Sequence, residues 1–447
     1  MTDQHAIQNK PSSLFKRLRL PIAVACVVAL GAGLYLGLAP SSPQERLASY
    51  GEDYIELALS LDRLQEGEVD IYYGPENLDK REASDGPDLE SLLASTQSLR
   101  DQLADPELSV IPQRQASLTK KVKSLILVLE SIISPEQFSY EEEAKDIFGI
   151  DLKGSDETDL AVYREQLEAL LPGSGAVAYR LAQFRNQFLV PADKRQAVFA
   201  RALEECKARS LAHWTLPASE HLLVQWSRDI NEPWHSFEGN GQSVLMINPL
   251  SMGYLSSALD VACHESYPGH HAQYVFLEQA MAGEEMFVED SLTLLRSPES
   301  ALREGAASYS VDLLFPQDER TQFEREVLAP IAGLGSLDIE KYNHVRVLLD
   351  QIALATIPIL RDFSDRTIPQ ATATFRLERE ALVPSPNQLI AFSEQYGAYA
   401  ASYTLARARI GAYVSDQAAE NGEDPWVVLK RLIESNDLSV LNYGVTD

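Results

Sequence analysis

Cysteine and positive charge are both scarce in this chain of 447 residues, with three Cys and 38 Lys+Arg against 66 Asp+Glu. Cys26, Cys206 and Cys263 cannot build a disulfide framework, so the fold must rest on a buried core. A composition that is 45% apolar and 8% aromatic supplies one. No CxxC pair occurs, which removes the usual cysteine zinc sites. A formal charge of −28 repels phosphate backbones and anionic lipid head groups, and so excludes nucleic acid and charge-driven membrane surfaces as partners. There is no GxSxG elbow. Gly239-Asn240-Gly241-Gln242-Ser243 lacks the last glycine of a dinucleotide loop and the lysine of a phosphate loop.

Long apolar runs are also rare, with one exception. Leu20 to Ala39 carries no charged residue and follows the cluster Lys16, Arg17 and Arg19. About twenty apolar residues span a hydrocarbon core of about 30 Å, and the basic flank stays cytoplasmic. We read residues 1–19 as a cytoplasmic basic tip and 20–39 as a single-pass anchor rather than a cleaved signal peptide, because Pro40 follows Gly37-Leu38-Ala39. Four basic residues against Asp3 give the first 39 residues a net +3, which leaves −31 on a body expected to be periplasmic or extracellular.

That body reads as mainly α. Ser42-Pro43-Gln44-Glu45 offers a serine cap, Pro at the first helical position and a capping-box Glu. Leu47, Tyr50, Tyr54, Leu57, Leu61 and Leu64 follow at three- and four-residue spacing. Similar patterns recur at 117–132, 158–171, 193–208, 287–296, 301–314, 338–355, 388–414 and 425–434. Ser243–Asn248 is the best strand candidate, and 228–242 reads as a long surface loop leading into it. The expected organisation is a helical part over 40–190 and a second helical part over 191–447, with a small β element beside the functional helix.

The densest chemistry lies in Cys263-His264-Glu265-Ser266-Tyr267-Pro268-Gly269-His270-His271. Neutral imidazoles are zinc ligands, and an adjacent Glu is placed to take a proton from a metal-bound water. An HExxH helix would put the second His at i+4, where this chain has Pro268. An unbroken helix favours His271 as the partner of His264, whereas a looped-out insertion favours His270. His213, His221, His235 and His344 stand alone and read as packing or surface residues.

HESYPGHH resembles the His-Glu-x-x-Pro-Gly-His-His signature of a large bacterial family catalogued as domain of unknown function 885, itself similar to thermolysin-like zinc peptidases. Dipeptidyl peptidase III stretches the motif comparably and takes its ligand from the Gly-His pair, so the resemblance implies His270. It also implies Glu304 as third ligand, from Glu304-Gly305-Ala306-Ala307-Ser308-Tyr309, although the family's Trp is replaced by Ala306. Arg346-Val347-Leu348-Leu349-Asp350 is similar to the family's Arg-x-x-x-Asp helix, but Leu354 stands where a His is common. Ala401-Ser402-Tyr403 resembles its Ser-Tyr element, which makes Tyr403 a candidate oxyanion donor. Asp70-Ile71-Tyr72-Tyr73-Gly74-Pro75 is similar to a segment of some members.

The expectation is a membrane-anchored, extracytoplasmic zinc metallopeptidase acting on peptides. Zn2+ would be held by His264, His270 and Glu304, with Glu265 as general base and Tyr403 assisting. The competing reading is a non-catalytic metal-binding or scaffold protein of the same fold, which the replacements at Ala306 and Leu354 favour.

Overall fold

The computed structural model describes residues 42–79, 86–153, 160–230, 233–250, 253–283 and 287–445. The basic tip and the apolar run at 20–39 lie outside these, and among the described residues no helix is long and apolar enough to cross a membrane. The chain is mainly helical, with two small sheets.

Helix α1 (Pro43–Leu64) opens with the expected capping box, Ser42 and Glu45 satisfying each other's backbone donors. Strand β1 (Val69–Tyr72), α2 (Leu89–Leu103), α3 (Pro112–Ile133), α4 (Ala161–Leu170) and α5 (Val177–Asn186) follow. Next come α6 (Arg195–His213), β2 (His221–Trp226), β3 (Trp234–Gly239) and β4 (Gln242–Ile247). The motif helices are α7 (Leu255–Glu265) and α8 (His270–Gly283), then β5 (Leu292–Leu294) and α9 (Pro298–Leu314). The remainder is α10 (Ile339–Ile352), α11 (Thr356–Ser364), α12 (Gln370–Arg379), α13 (Pro386–Tyr396), α14 (Leu405–Asn421) and α15 (Pro425–Ser435).

One large apolar core runs from Leu47 to Leu441 and draws on both sides of residue 190. A smaller cluster joins Leu167, Leu171 and Leu181 to Val345, Leu348, Ile352 and Leu382. Helix α7 packs between α6 and α9, and α9 packs on α14, so the motif helix lies at the centre of the molecule. The Cys206–Cys263 disulfide, with Cα atoms 5.4 Å apart, fastens α6 to α7 one residue before His264.

Three local expectations differ from the structure. Residues 228–242 are not all loop, since β3 pairs antiparallel with β4 across a turn at Asn240-Gly241, both at positive φ (53° and 71°). The Glu278 carboxylate holds that turn, accepting from Gly241 N at 2.8 Å. Residues 287–296 are not one helix: a 3-10 turn over Val288–Ser291 leads into β5, whose Leu292 and Leu294 face the core across Thr293 and which pairs with β1. The helical pattern at 388–414 breaks at Gly397 (φ 60°), where a 3-10 turn over Gly397–Tyr403 separates α13 from α14.

Candidate metal centre

Helix α7 ends at Glu265, Ser266 leaves helical geometry, and α8 starts at His270. The connecting residues fold back under the end of α7, with Gly269 N donating to Cys263 O at 3.1 Å and Ala272 N to Ser266 O at 3.1 Å. The insertion is therefore looped out. This return passes so close that a Cβ on Gly269 would lie 1.8 Å from His264 O, a space that admits only glycine.

The loop sends the two histidines to opposite sides. His270 Nε2 lies 3.1 Å from His264 Nε2. His271 faces away, fully buried, with Nδ1 2.7 Å from Ser243 Oγ and Nε2 3.0 Å from Glu220 Oε1. Both of its nitrogens are engaged there.

Glu304 comes from the second turn of α9, which Ser297 caps through Ser300 N at 3.1 Å, with Pro298 as the first helical residue. Its oxygens lie 3.2 Å from His264 Nε2 and 3.4 Å from His270 Nε2. Tetrahedral ligands about 2.0–2.1 Å from zinc stand about 3.3–3.4 Å apart. The observed separations of 3.1, 3.2 and 3.4 Å match that spacing, and the three residues form the cation-competent cluster found among the described residues. Glu304 Oε2 is buried without a hydrogen-bond partner, polar capacity that a cation would use.

Charge follows this proximity. Burial opposes a proton on His270, but the charge and hydrogen bond of Glu304, helped by Glu265 and Asp70, hold its pKa up at about 9. Burial likewise opposes ionisation of Glu304, yet the two histidines keep its pKa well below the ordinary carboxylate range. Burial raises Glu265, which accepts no hydrogen bond from a described residue, with Glu304 and Asp70 adding to the rise and the histidines opposing it.

All four residues line a cleft of about 1310 Å³. Tyr403, 38% exposed, forms part of its wall, with its ring centroid 6.4 Å from that of His264. Burial and the nearby Glu304 and Glu265 carboxylates push its pKa well above 10, so its hydroxyl stays protonated. The wall also carries three ion pairs, Asp260–Arg320 at 2.6 Å, Asp350–Arg346 at 2.8 Å and Asp312–Arg407 at 2.7 Å. Arg346 and Asp350 are thus an ion pair on the cleft wall.

Three residues at the site were not marked by sequence. Tyr399 donates to Glu304 Oε1 at 3.1 Å and lies 3.0 Å from Ser300 Oγ. His235 is not a bystander: it lines the cleft with its ring centroid 6.0 Å from that of His270, stacks on Tyr274 and keeps a buried, unpartnered Nε2. Burial and the three motif histidines push its pKa well below 6.5, so it is neutral. Asp70 is the third. The Asn-Gly turn was the one available signal for the strand that carries His235. His213, by contrast, stacks on Trp426 at 4.5 Å as packing.

No protein-family model and no curated protein matches the chain. Among solved structures, a candidate lipoprotein from Colwellia psychrerythraea is similar at 15% identity with a TM-score of 0.49, over 79% of this chain and 66% of that one. A candidate lipoprotein of unknown function from Shewanella oneidensis is similar at 14% identity with a TM-score of 0.47, over 79% of this chain and 72% of that one. Likeness at this level carries no function across.

Proposed function

We propose that the cleft is the active site of a zinc-dependent metallopeptidase, held on the outer side of a membrane by the apolar run at 20–39. The observation that carries this reading is the buried triangle of His264, His270 and Glu304, spaced as tetrahedral ligands and opening on a large cleft beside a free carboxylate. Zinc, when bound there, supplies a Lewis acid that polarises a carbonyl and lowers the pKa of a water. Glu265 follows His264 directly and faces the same cleft, so it would accept the proton of the attacking water and return it to the leaving amine. Burial raises its pKa above that of a free glutamate, which makes it a stronger base towards that water. The Tyr403 hydroxyl would donate to the oxygen of the reacting carbonyl.

Peptide alignment falls to β3. Strand β4 is the middle strand of the order β2-β4-β3 and has both sides paired. Strand β3 is one of the two outer strands and the one whose Trp234 and His235 line the cleft, where an extended peptide could add by main-chain hydrogen bonds. The disulfide supports export, since such bonds persist in oxidising compartments. The test is Glu265→Gln, expected to keep one zinc per chain and lose at least about 100-fold in turnover. Intact turnover would sink the mechanism, and stoichiometric zinc without cleavage of a broad peptide panel by the wild type would favour the non-catalytic scaffold.

A further inference from the structure

The carboxylates of the cleft divide by what they already do. Asp260, Asp312 and Asp350 are neutralised by arginines within 2.8 Å. Glu304 completes the ligand triangle and Glu265 serves the attacking water. Asp70 has neither an ion pair nor such a task, yet it lines the same cleft.

Its placement is built. The register of β1 against β5 passes from Val69↔Leu294 to Ile71↔Thr293, so Asp70 is the extra residue of a β-bulge. Bulges of this kind re-aim a side chain out of strand alternation. The Tyr274 hydroxyl, one turn after His270 on α8, donates to Asp70 Oδ2 at 3.0 Å and orients the carboxylate. No described donor reaches Oδ1. Arg303, whose charge acts on Asp70, makes no ion pair with it and is bonded instead to Thr293 Oγ1 at 2.6 Å, with its guanidinium 5.4 Å from the centre of the Tyr274 ring. A half-buried carboxylate held by one oxygen and offering the other to a substrate cleft is a receptor for a small cation with several donors.

We propose that Asp70 binds a primary ammonium of the substrate, so that the cleft selects peptides with a free amine beside the scissile bond. The inference rests on the peptidase reading and names its substrate class. The free amine is either the peptide N-terminus or a lysine side chain.

Zinc-loaded, full-length Glu265→Gln protein would be titrated calorimetrically with three peptides: one with a free N-terminus, the same sequence acetylated, and the acetylated sequence with lysine substituted as first residue. The expected result is at least about tenfold tighter binding of one or both amine-bearing peptides, the size of one charge-assisted hydrogen bond. Preference for the first assigns the α-ammonium, and preference for the third assigns the side chain. Adding Asp70→Asn should erase the preference while zinc stoichiometry stays at the parental value. Equal or undetectable binding of all three peptides overturns the proposal, as does an Asp70→Asn protein that loses zinc or weakens all three alike. Hydrolysis of the same peptides by the wild type judges the peptidase reading separately, because the binding comparison stands whether or not cleavage occurs.

Discussion

Replacing Gly269 by alanine tests how the second histidine reaches the first. The added Cβ would stand 1.8 Å from His264 O, 2.4 Å from its carbonyl carbon and 2.6 Å from Cys263 O. All three are backbone atoms at the end of α7, so no side-chain rotation relieves the clash. Opening 1.8 Å to the 3.0 Å that Cβ contacts require displaces one strand of backbone by at least 1.2 Å. Either His264 or His270 moves with it, whereas ligand positions tolerate only about 0.2 Å. The bond from Gly269 N to Cys263 O is lost in the same step. We expect Gly269→Ala to cost about 3 kcal/mol in stability, the upper end for overpacking, and to weaken zinc at least about 100-fold. The assay is zinc titration against a competing chelator, with thermal melts of the metal-free chain. Gly253→Ala is the control, since its Cβ would meet only Leu189 Cδ2 at an ordinary 3.5 Å. A Gly269→Ala protein that binds zinc as the wild type does, and melts as the control does, refutes the idea that close approach positions His270.

Three further outcomes follow from the surroundings of the site. Tyr399→Phe removes the hydroxyl that holds Glu304 and should weaken zinc by about 10- to 100-fold with little change in the melting temperature of the metal-free chain, measured by the same titration. The paired substitution Cys206→Ser and Cys263→Ser opens a loop of 57 residues and should lower unfolding free energy by about 4 kcal/mol in a denaturant titration; a loss under about 1 kcal/mol would show that the bridge is redundant. Burial opposes ionisation of Glu220, but bonds from His271 and Tyr267 and the charge of Lys207 hold its pKa down at about 2, against 4.5 for a free glutamate. Its contribution is therefore complete above about pH 4.5 and lost as pH falls towards 2, so Glu220→Gln should flatten the stability–pH profile in that window.

Much of the site could be read from the chain because its ligands are announced by spacing. His264, Glu265 and the Pro268-Gly269 interruption are contiguous, and Glu304 sits in a recognisable segment. The residues alone left the choice between His270 and His271 open, and only the resemblance pointed to His270. That choice depends on Ser243 and Glu220, 28 and 51 residues away in sequence, which claim the second imidazole. Asp70 was noted only as part of a resembling segment, without a role, because its direction comes from a bulge defined by β5, more than 200 residues later. Strand β3 was missed through its composition, since Ser236, Glu238 and Gly239 resemble loop residues, and the Asn240-Gly241 turn was weighed only as a phosphate loop. The 3-10 break at Gly397 reflects tertiary contact, with Ala398 N bound by Glu143 at 3.1 Å.

The three ligand-bearing elements share a feature that bears on how the site is maintained. Each is fixed by a contact from a residue outside the triangle. Cys263 ties the end of α7 to α6 through the disulfide, next to His264. His271 ties the start of α8 to Ser243 and Glu220, next to His270. Glu304 is held on α9 by the hydroxyl of Tyr399, which reaches in from the turn before α14. These restraints act on the neighbouring residue or on the residue itself, and they accompany separations of 3.1–3.4 Å within the triangle. A site arranged in this way separates the cost of assembling ligands from the cost of capturing a cation, because the former is met when the core forms. The two adjacent histidines of this chain divide the work: His270 lines the cleft, and His271, one residue on, anchors the helix that presents it.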